Sequence, residues 1–452
     1  VIWRIPSERA GRVVPETIPC REDPMRIERL RLTDFRNYRA LDLHLPGGLV
    51  VLRGRNAQGK SNVLEAASII ATSRSFRTTN DRETVRWGAV GHFARVEATV
   101  ARRNDTLEVE VIITDTAATT PSATGTSTSA TASPAPPMPP GGLPFRKRIR
   151  VNGAPRRAMD LLGQVTVVIF SPTHLDLVIG APSERRRFLD MTLCQVHTAY
   201  CRQLSQYHKI VTQRAALLRR IRDGEDSPSS LGFWDEQLAR LAIPIMRTRA
   251  AFLARAEAPA AQLYGALAGD EAGEDEPEGE ESVAETDISP AGEDDDASPG
   301  PLRLVYQPSY DGPLAGEEAA LVAGMIARLG QVRRREIAQG ANVLGPHRDD
   351  VGFFAGAMDL AIYGSRGQQR SVALALKLAE LAYIEAETGD QPILLLDDVL
   401  SELDARRRAD LLEAVRDLDQ VLLTVTDATD VPEEARARAT LLHVRAGRVM
   451  GG

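Results

Sequence analysis

The chain has 452 residues, 43% of them hydrophobic and 26% charged, an ordinary composition for a globular protein of about two to three domains. No apolar run reaches the roughly 18 residues of a membrane-spanning helix, and no apolar leader precedes the first patterned segment, so we expect a cytoplasmic protein without a membrane partner. The cysteines Cys20, Cys194 and Cys201 form neither a disulfide framework nor a CxxC pair, which excludes the small disulfide-stabilised class.

The net charge of −7 is due to one acidic segment. Residues 270–300 contain 14 acidic side chains and no lysine or arginine, so the rest of the chain carries a net charge of +7. A mildly basic body permits a nucleic-acid partner but does not by itself indicate one.

Two inserts lack the apolar residues that would offset the entropy lost on ordering, and we predict that they are disordered. They are a Thr/Ser/Ala/Pro-rich insert at 115–144 and the acidic insert at 268–300. We also expect the N-terminal extension at 1–24 to be disordered, because it shows little periodicity. Strand patterns flank the first insert, at 93–100, 106–113 and 147–151. We therefore interpret that insert as an enlarged hairpin loop and not as a domain boundary.

Strands and helices alternate along the remaining chain, which is the pattern of an α/β fold. We predict strands at 26–35, 49–52, 165–170, 393–396 and 421–425, and a terminal hairpin at 442–449 that turns at Ala446 and Gly447. We predict helices at 61–71, 183–223 and 371–387. In the longest helix the apolar residues recur at helical spacing: Val196, Tyr200, Leu204, Tyr207, Val211, Leu218 and Ile221. That length suits a helical lobe and is far too short for a coiled-coil arm.

The strongest functional signal is a phosphate-binding loop between the strand at 49–52 and the helix at 61–71. It matches GxxxxGK[ST] at every specified position, with the residues Gly54, Arg55, Asn56, Ala57, Gln58, Gly59, Lys60 and Ser61. Glycines allow backbone amides to wrap around phosphate, and the helix N-terminus adds a positive dipole. We expect Lys60 to reach the β- and γ-phosphates of ATP and Ser61 to bind Mg²⁺, with Asn62 beside them in the nucleotide site.

An acidic motif follows the apolar strand at 393–396. Asp397 and Asp398, at the end of this strand, form the Walker B pattern. We expect Asp397 to hold Mg²⁺ together with Ser61, and Asp398 to be the catalytic group that orients or deprotonates the attacking water. Many ATPases of this kind have glutamate at the second position, so the shorter aspartate predicts slow hydrolysis.

Two further motifs resemble those of the ABC-type ATPases. The D-loop motif consists of Ser401, Glu402, Leu403 and Asp404, and the signature motif, about 30 residues before Asp397, consists of Ser365, Arg366, Gly367 and Gln368. A serine hydroxyl, a glycine backbone and a helix N-terminus together favour an anion. In this class the signature contacts the γ-phosphate held by the opposite subunit. One P-loop and one signature therefore imply a homodimer with two ATP molecules at its interface.

These motifs, taken together, resemble the bacterial RecF family of recombination proteins. The resemblance covers about 25–113, 147–265 and 302–450. Besides the P-loop and the signature, Walker B and D-loop motifs, it rests on segments at 25–38, 73–78, 170–172, 183–190 and 345–350. In combination these segments are typical of RecF and not of its SMC and Rad50 relatives.

The resemblance implies a two-lobed ABC-type ATPase head of the α/β class, with a P-loop lobe built on a mixed sheet, a helical lobe and no long coiled coil. We assign the P-loop lobe to 25–182, the helical lobe to 183–345, and the signature helix with the rest of the P-loop lobe to 346–452. RecF-like proteins bind single-stranded and gapped double-stranded DNA in an ATP-dependent way. They are weak DNA-dependent ATPases that act with RecR and RecO to place RecA at single-strand gaps.

The sequence departs from the class pattern at two sensor positions. The strand at 421–425 leads into Thr426 and Asp427, where many ABC-type ATPases have a switch histidine. A clear Q-loop glutamine is also missing. By position Ser171 and Pro172 take its place, and Gln164 is a poorer candidate.

Several further polar and cationic residues leave two interpretations open. Arg36 and Asn37 could touch the nucleotide, and Arg74 or Arg77 could act as an arginine finger. Clusters at 146–148, 185–187, 333–335 and 406–408 could contact DNA phosphates, although a solvated or ion-paired helix face more often explains such clusters. No aromatic stacking platform for single-stranded DNA is evident in the sequence.

Other functions share some of these motifs. A Rad50-type or other SMC-like head would need long arrays of heptads, which are absent. A transporter subunit would need a membrane partner. A non-hydrolysing ATP-gated DNA clamp differs only in whether Asp398 supports turnover.

Overall fold

The computed structural model of the chain describes residues 24–103, 105–115, 145–268 and 300–451. They fall into two compact units, the helical unit (Ser171–Asp390) and the P-loop unit (24–170 with 391–451). The disorder predicted for 1–24, 115–144 and 268–300 concerns segments that, apart from their end residues, lie outside the described residues.

The strands of the described residues, in chain order, are β1 (Arg26–Phe35), β2 (Tyr38–His44), β3 (Gly48–Arg53), β4 (Phe93–Arg102), β5 (Asp105–Asp115), β6 (Phe145–Val151), β7 (Ala154–Arg156), β8 (Val167–Phe170), β9 (Leu302–Gln307), β10 (Asp350–Ala355), β11 (Met358–Asp359), β12 (Ile393–Asp397), β13 (Gln420–Val425), β14 (Thr440–Arg445) and β15 (Arg448–Gly451). The helices of the same residues are α1 (Lys60–Thr72), α2 (Ala158–Leu161), α3 (Pro172–Leu175), α4 (Pro182–Val196), α5 (Thr198–Arg222), α6 (Leu231–Ala268), α7 (Glu318–Gln339), α8 (Arg366–Thr388), α9 (Ala405–Ala414) and α10 (Glu433–Ala437).

Two six-stranded sheets form the P-loop unit. One is antiparallel, in the order β2-β1-β4-β5-β6-β7. The other is mixed, in the order β15-β14-β3-β13-β12-β8, with every neighbouring pair parallel except β14 and β15. The helix α1 contacts strands of both sheets and is buried along almost its full length, as its largely apolar sequence favours. The core of this unit therefore surrounds α1.

Parallel pairing aligns the carboxyl ends of β3, β12 and β13. Asp397 lies opposite Thr424, and Val425 lies opposite Arg53. The loops that follow these strands therefore meet at one edge of the sheet. Open α/β sheets bind their ligands at this edge.

The helical unit combines helices with a three-stranded antiparallel sheet, β11-β10-β9. Its longest helix, α6, packs against α5, α7, α8 and β9, and α8 also packs against α3 and α4. None of the described helices, in either unit, is both long and apolar enough to span a bilayer.

Buried ionic networks hold the helices of this unit together. Arg214 is fully buried and pairs with Asp235 at 2.7 Å and with Glu336 at 2.6 Å. Arg249 donates to Asp190 at 2.7 Å and to the carbonyl oxygen of Pro346 at 2.6 Å. A buried charge is tolerated only when it is paired and hydrogen-bonded. Loss of one partner therefore leaves the remaining charges buried and unpaired, which strongly destabilises the fold.

The structure draws the boundaries between units at different residues from those assigned by sequence. We placed them at 182/183 and 345/346, whereas the compact units divide at 170/171 and 390/391. The signature helix α8 belongs to the helical unit because it packs against α3, α4 and α6. These neighbours are distant in sequence, so no local pattern reveals which unit the helix joins.

The prediction of one helix over 183–223 was wrong, because the segment forms α4 and α5 with a break at His197. The break residue has φ −117° and ψ 94°, outside the helical region. Its ring lies 3.1 Å from the Tyr383 hydroxyl and 3.8 Å from the Glu387 carboxylate, both on α8. No glycine or proline marks the break, so we attribute it to these tertiary contacts. The predicted apolar stripe is buried at Tyr200, Leu204, Tyr207, Leu218 and Ile221.

Two other local predictions are confirmed, and one helix boundary differs from the prediction. The strands around the first insert are β4, β5 and β6, and β5 pairs antiparallel with β6. The terminal hairpin turns where expected, with left-handed φ values of 48° at Ala446 and 70° at Gly447. The signature helix begins at Arg366, five residues before the start we predicted, because the signature residues form its first turn.

Candidate functional site

The loop between β3 and α1 needs glycine at two positions. Gly54 has a φ of 156°, and a Cβ there would lie 2.3 Å from the carbonyl oxygen of Val444. Gly59 has a φ of 115°, and a Cβ there would lie 2.7 Å from the side-chain amide of Asn37. At both positions a neighbouring element approaches the backbone more closely than a side chain permits.

Two turns from other elements support this loop. From the turn between β1 and β2, Asn37 Nδ2 donates to the Gln58 carbonyl at 2.8 Å, and the Tyr38 hydroxyl donates to the Gly59 carbonyl at 3.0 Å. From the turn between β14 and β15, the Ala446 amide donates to Gln58 Oε1 at 2.8 Å, and the Gly447 amide donates to the Gln58 carbonyl at 3.1 Å. The loop is therefore held in shape by contacts from both sheets.

Lys60 is the first residue of α1 and is only 6% exposed. Its Nζ donates to the carbonyl oxygen of Gly54 and, at 3.2 Å, to that of Arg55. Burial lowers the pKa of Lys60, while the nearby carboxylates of Asp398 and Asp397 raise it. The Lys60 ammonium is therefore held by backbone carbonyls of the loop, within electrostatic reach of two acidic residues.

Thr424 positions the two aspartates. Its hydroxyl donates to Asp397 Oδ1 at 3.0 Å and accepts from the Asp398 amide at 2.9 Å. Asp397 is 7% exposed at the end of β12, and Asp398 has a left-handed φ of 54°. The reversal at Asp398 ends the strand and gives the second carboxylate a different direction from the first.

The protonation of Asp398 depends on its surroundings. Burial raises the pKa of this carboxyl, the charge of Lys60 lowers it, and the neighbouring Asp397 raises it again. A carboxylate with a raised pKa is a better proton acceptor than an ordinary surface aspartate. The arrangement therefore suits a group that orients or deprotonates water.

The oxygen donors at this edge suit Mg²⁺. The predicted ligands are the Ser61 hydroxyl, in the first turn of α1, and the Asp397 carboxylate. Among the described residues no cluster of three or more His, Cys, Asp or Glu side chains could enclose a metal ion. Magnesium is usually bound by one or two protein oxygens, with water and phosphate completing its shell, so this sparse set of hard donors fits it.

In the structure Asn37 contacts the P-loop, whereas Arg36 forms an ion pair with a residue of α1. The guanidinium of Arg36 pairs with Glu65, which is fully buried on α1, at 2.5 Å. Ser75 donates to the same carboxylate at 2.5 Å, and Arg77 lies 3.8 Å from it. These contacts tie Arg36, and with it the turn that carries Asn37, to α1.

Asn62 links the P-loop helix to the predicted arginine finger segment. Its Nδ2 donates to Asn37 Oδ1 at 2.8 Å, and its Oδ1 accepts from Arg77 at 2.7 Å. Asn37, Asn62 and Arg77 therefore form a polar chain beside the loop. Arg74 is exposed and takes no part in this chain.

The D-loop residues follow directly from the aspartates. Ser401 donates to the Asp398 carbonyl at 2.8 Å, and Leu403 is buried. Asp404 is the N-cap of α9 and accepts from the Arg407 amide at 2.8 Å. Ser401 is exposed while Glu402 is half-buried, so the start of this loop is accessible to another molecule.

The signature residues form the first turn of α8 in the helical unit. Ser365 is the N-cap, and its hydroxyl accepts from the Gln368 amide at 3.0 Å. Gln368 Oε1 accepts from the Ser365 amide at 2.9 Å, which completes a capping box. Ser365 and Arg366 are exposed and Gly367 is half-buried. The positive end of a helix of 23 residues is therefore accessible to an anion.

The two sensor positions have local partners. Thr426 donates to Asn56 of the P-loop at 3.3 Å, so the chain after β13 contacts the loop without a histidine. The Gln164 amide oxygen accepts from Arg102 at 3.1 Å, which engages that side chain within the P-loop unit. Ser171 caps α3 together with His174.

Two of the arginine clusters are largely occupied by internal contacts. Arg185 is buried and pairs with Asp350 at 2.6 Å, and Arg186 donates to the Asp349 carbonyl at 2.7 Å. In the cluster at 406–408, Arg408 donates to two carbonyl groups of the D-loop region. These contacts favour the structural interpretation over DNA contact for Arg185, Arg186 and Arg408.

Sequence reasoning missed two residues of the site, Thr424 and Glu65. Thr424 is marked only by its place at the end of the strand next to Walker B, since parallel register sets it opposite Asp397. Glu65 is a carboxylate within an otherwise apolar helix, four residues after Ser61. A charge at such a position needs a partner, and that requirement points to Arg36 only once the fold is known.

Comparisons with known proteins agree with this geometry. The chain is 38% identical over 438 residues to a DNA replication and repair protein RecF of Chloroflexus aurantiacus, covering 95% of this chain and 100% of that protein. A solved structure of the recombination mediator protein RecF-ATPrS in the RecFOR pathway superposes with a TM-score of 0.75 at 26% identity, over 95% of this chain and 99% of that one. A RecF-ATP structure of the same pathway superposes with a TM-score of 0.75 at 25% identity, over 95% and 98% of the two chains. No family model matches the chain.

Identity at this level over nearly the full length of both chains exceeds what a shared fold alone explains. The P-loop, the paired aspartates and the capped signature helix occur together in the structure as separate parts of an ABC-type ATPase fold. The chain belongs to the RecF family of DNA replication and repair proteins.

Proposed function

We propose that this chain is an ATP-dependent DNA-binding ATPase of recombinational repair that closes as a homodimer around ATP. The observation that carries the proposal is that β3, which leads into the P-loop and Lys60, and β12, which ends at Asp397 just before Asp398, both pair in parallel with β13, so these residues follow the same edge of the mixed sheet. The relatives whose names include ATP or repair support the same assignment.

ATP binds at the P-loop in this proposal. The contact residues are Gly54, Arg55, Asn56, Ala57, Gln58, Gly59, Lys60, Ser61 and Asn62, with Asn37 beside them. Backbone amides of the loop surround the phosphates, and the Lys60 ammonium exchanges its carbonyl partners for phosphate oxygens. Arg36 supports the site through Glu65 and need not touch the nucleotide.

Hydrolysis depends on Asp398. Ser61 and Asp397 would hold Mg²⁺, which would supply positive charge beside the phosphates. Asp398 orients the attacking water and accepts its proton, a role favoured by the raised pKa of its carboxyl. Aspartate is one methylene shorter than glutamate, so we expect weak turnover that DNA stimulates.

Dimerisation uses the signature helix. The exposed turn of Ser365, Arg366, Gly367 and Gln368 approaches the γ-phosphate bound by a second copy, while the D-loop residues Ser401, Glu402, Leu403 and Asp404 line the same interface. The helix N-terminus supplies the positive potential that such a contact needs. Two ATP molecules then lie in the dimer interface.

Membership of the RecF family supports the biological part of the proposal. The ATP-bound dimer acts on single-stranded and gapped double-stranded DNA and, with RecR and RecO, promotes loading of RecA at single-strand gaps. The second candidate, a non-hydrolysing ATP-gated clamp, is favoured by the aspartate at position 398. Equal turnover of wild type and Asp398→Asn would show that Asp398 is not the catalytic group, and absence of turnover in both would support the clamp.

The test is the mass of the protein in solution with and without Mg-ATP. We expect the mass to double with ATP, and we expect Ser365→Arg to remain a monomer because the bulky cation blocks the capped turn. Ser229→Arg is a matched control, since Ser229 is exposed in the helical unit but far in sequence from the signature. A wild type that stays monomeric with saturating ATP contradicts the dimer mechanism.

A further inference from the structure

The helix α5 has an unusual charge composition. Its 25 residues include Arg202, Lys209, Arg214 and three arginines in the last turn, but no aspartate or glutamate. Arg214 is buried with Asp235 and Glu336 in the helical unit. The other cations lie outside that network, so α5 presents positive charge to solvent over most of its length.

Six residues of α5 form one exposed stripe. At 3.6 residues per turn they fall within an arc of about 80° and extend over about 27 Å of helix. All six are exposed, and the stripe is made of Arg202, Gln206, Lys209, Gln213, Ala216 and Arg220. The buried residues Tyr200, Leu204 and Tyr207 occupy the opposite side of the helix. We call these six residues the α5 stripe.

The cations of the α5 stripe differ from other exposed arginines because they form no ion pair with an acidic residue of their own helix. On α6, Arg240 pairs with Glu236 at 2.7 Å, and on α9, Arg406 pairs with Asp410 at 3.8 Å. In the part of the chain that the structure describes, neither Arg202 nor Lys209 forms an ion pair, and Arg220 pairs only with Asp226, beyond the end of the helix. An ordinary solvated helix face mixes both signs of charge, and this one does not.

The surface beside Lys209 is slightly concave. A shallow depression of about 330 Å³ is lined by His208, Lys209, Thr212 and Gln213. Lys209 and Gln213 can donate hydrogen bonds to an oxyanion there, whereas the Thr212 hydroxyl already donates to the His208 carbonyl at 2.8 Å. The depression includes Lys209 and Gln213 of the α5 stripe and lies between Arg202 and Arg220 along the helix.

We infer that the α5 stripe binds the phosphate backbone of DNA. This inference rests on the proposed function and assigns part of its DNA contact to a surface of the helical unit. Phosphates are the ligands that arginine and lysine select without sequence preference, and the interleaved glutamines donate further hydrogen bonds to them. A straight stripe of about 27 Å also fits a regular polyanion, which carries charge at short intervals.

An acidic protein surface is the competing partner, and the composition of the stripe disfavours it. Protein interfaces depend on buried aromatic or large apolar anchors, whereas the stripe contains only Ala216 among apolar residues. Electrostatic contact without such anchors is the mode by which proteins hold nucleic-acid backbones.

The test compares two double variants that remove the same charge. Arg202→Gln/Lys209→Gln changes the α5 stripe, and Arg240→Gln/Arg247→Gln changes exposed cations of α6. Binding of a fluorescein-labelled gapped DNA duplex is measured with Mg-ATP at several salt concentrations. The ATPase rate without DNA and the ATP-dependent mass in solution are measured for every variant, because the stripe should leave both unchanged.

We expect the stripe variant to bind DNA more weakly, by up to about 60-fold at 0.1 M salt, and to lose about 1.8 from the slope of log affinity against log salt. Those values follow from about 0.9 released counterions for each of two phosphate contacts. The α6 variant should behave like wild type. Arg202→Lys/Lys209→Arg should also keep wild-type affinity, because the charge remains.

Three outcomes separate the inference from the function on which it rests. If wild type binds DNA with ATP and the stripe variant matches it in affinity and slope, the inference is overturned and an acidic protein partner becomes the alternative. If both double variants lose affinity equally, a general charge effect explains the result and the stripe has no special role. If wild type itself binds no DNA, the proposed function fails and the inference fails with it.

Discussion

The P-loop and the signature turn are the two predicted phosphate sites of the chain, and they are built in opposite ways. The P-loop relies on glycines with positive φ and on side chains from two distant turns. The signature turn is an ordinary helix start, closed by a capping box between Ser365 and Gln368. The shape of the P-loop therefore depends on tertiary structure, whereas the shape of the signature turn depends on local sequence. We expect substitutions to distinguish the two, because a change in the P-loop should alter both the stability of the fold and the binding of ATP.

The largest expected effect is at Gly54. Gly54→Ala places a Cβ against the Val444 carbonyl at a backbone angle that alanine disfavours, so we expect a loss of about 3 kcal/mol in unfolding free energy and no detectable ATP binding. Urea unfolding and a fluorescent ATP analogue measure the two quantities. Gly330→Ala, inside α7 where a Cβ would meet nothing within 4 Å, is the matched control and should gain up to about 1 kcal/mol. Equal stability of wild type and Gly54→Ala would contradict the comparison.

The next effect is at Thr424. Thr424→Val keeps the shape of the buried side chain but removes the hydroxyl that joins Asp397 to the Asp398 amide. We expect a loss of about 1–3 kcal/mol in stability and a reduction of about 10–100-fold in single-turnover ATP hydrolysis. Thr424→Ser should retain most activity, since it restores the hydroxyl. Wild-type turnover in the valine variant would show that Thr424 does not position the aspartates.

A smaller effect is expected at the signature turn. Ser365→Ala removes one capping bond and should cost about 1 kcal/mol in unfolding free energy. Because the cap is local, the affinity of a single protomer for ATP should not change. Thermal unfolding and nucleotide titration at low protein concentration measure both. A large drop in ATP affinity would mean that the signature supports its own P-loop, against the comparison drawn here.

The smallest effect concerns the charge of Asp398. Its pKa is raised in the folded protein, chiefly by burial, so the ionised carboxylate disfavours folding. Asp398→Asn should therefore be slightly more stable than wild type at neutral pH. The gain should shrink as pH falls through the raised pKa and vanish below the usual value of about 4, where both states are protonated. Stability curves of both proteins across this range measure it, and a gain that persists in acid would assign it to another cause.

Much of the candidate site could be predicted from sequence because its motifs are contiguous. Lys60 lies at the start of α1 and Asp397 at the end of β12, as the patterns of apolar and polar residues required. The chemical identity of these residues sets what they can bind. Their roles remain predictions until the variants above are measured.

Other features of the site and the fold could not be predicted from the local sequence. The role of Arg36 depends on Glu65, which lies 29 positions away, and the hydroxyl of Thr424 meets the aspartates only through strand register. The break at His197 follows from contacts with α8 and not from a helix-breaking residue. Each of these depends on which elements pack together.

By itself the sequence determined the class of fold, the phosphate-binding loop, the acidic strand end and the family, because short-range spacing encodes strands, helices and their caps. The tertiary structure alone decided which unit the signature helix joins, which arginines are buried as structural partners and which face of α5 stays cationic. The physical reason is that burial and ion pairing depend on neighbours far along the chain. A pattern of residues specifies an element, while packing decides which of its charges remain available to a ligand.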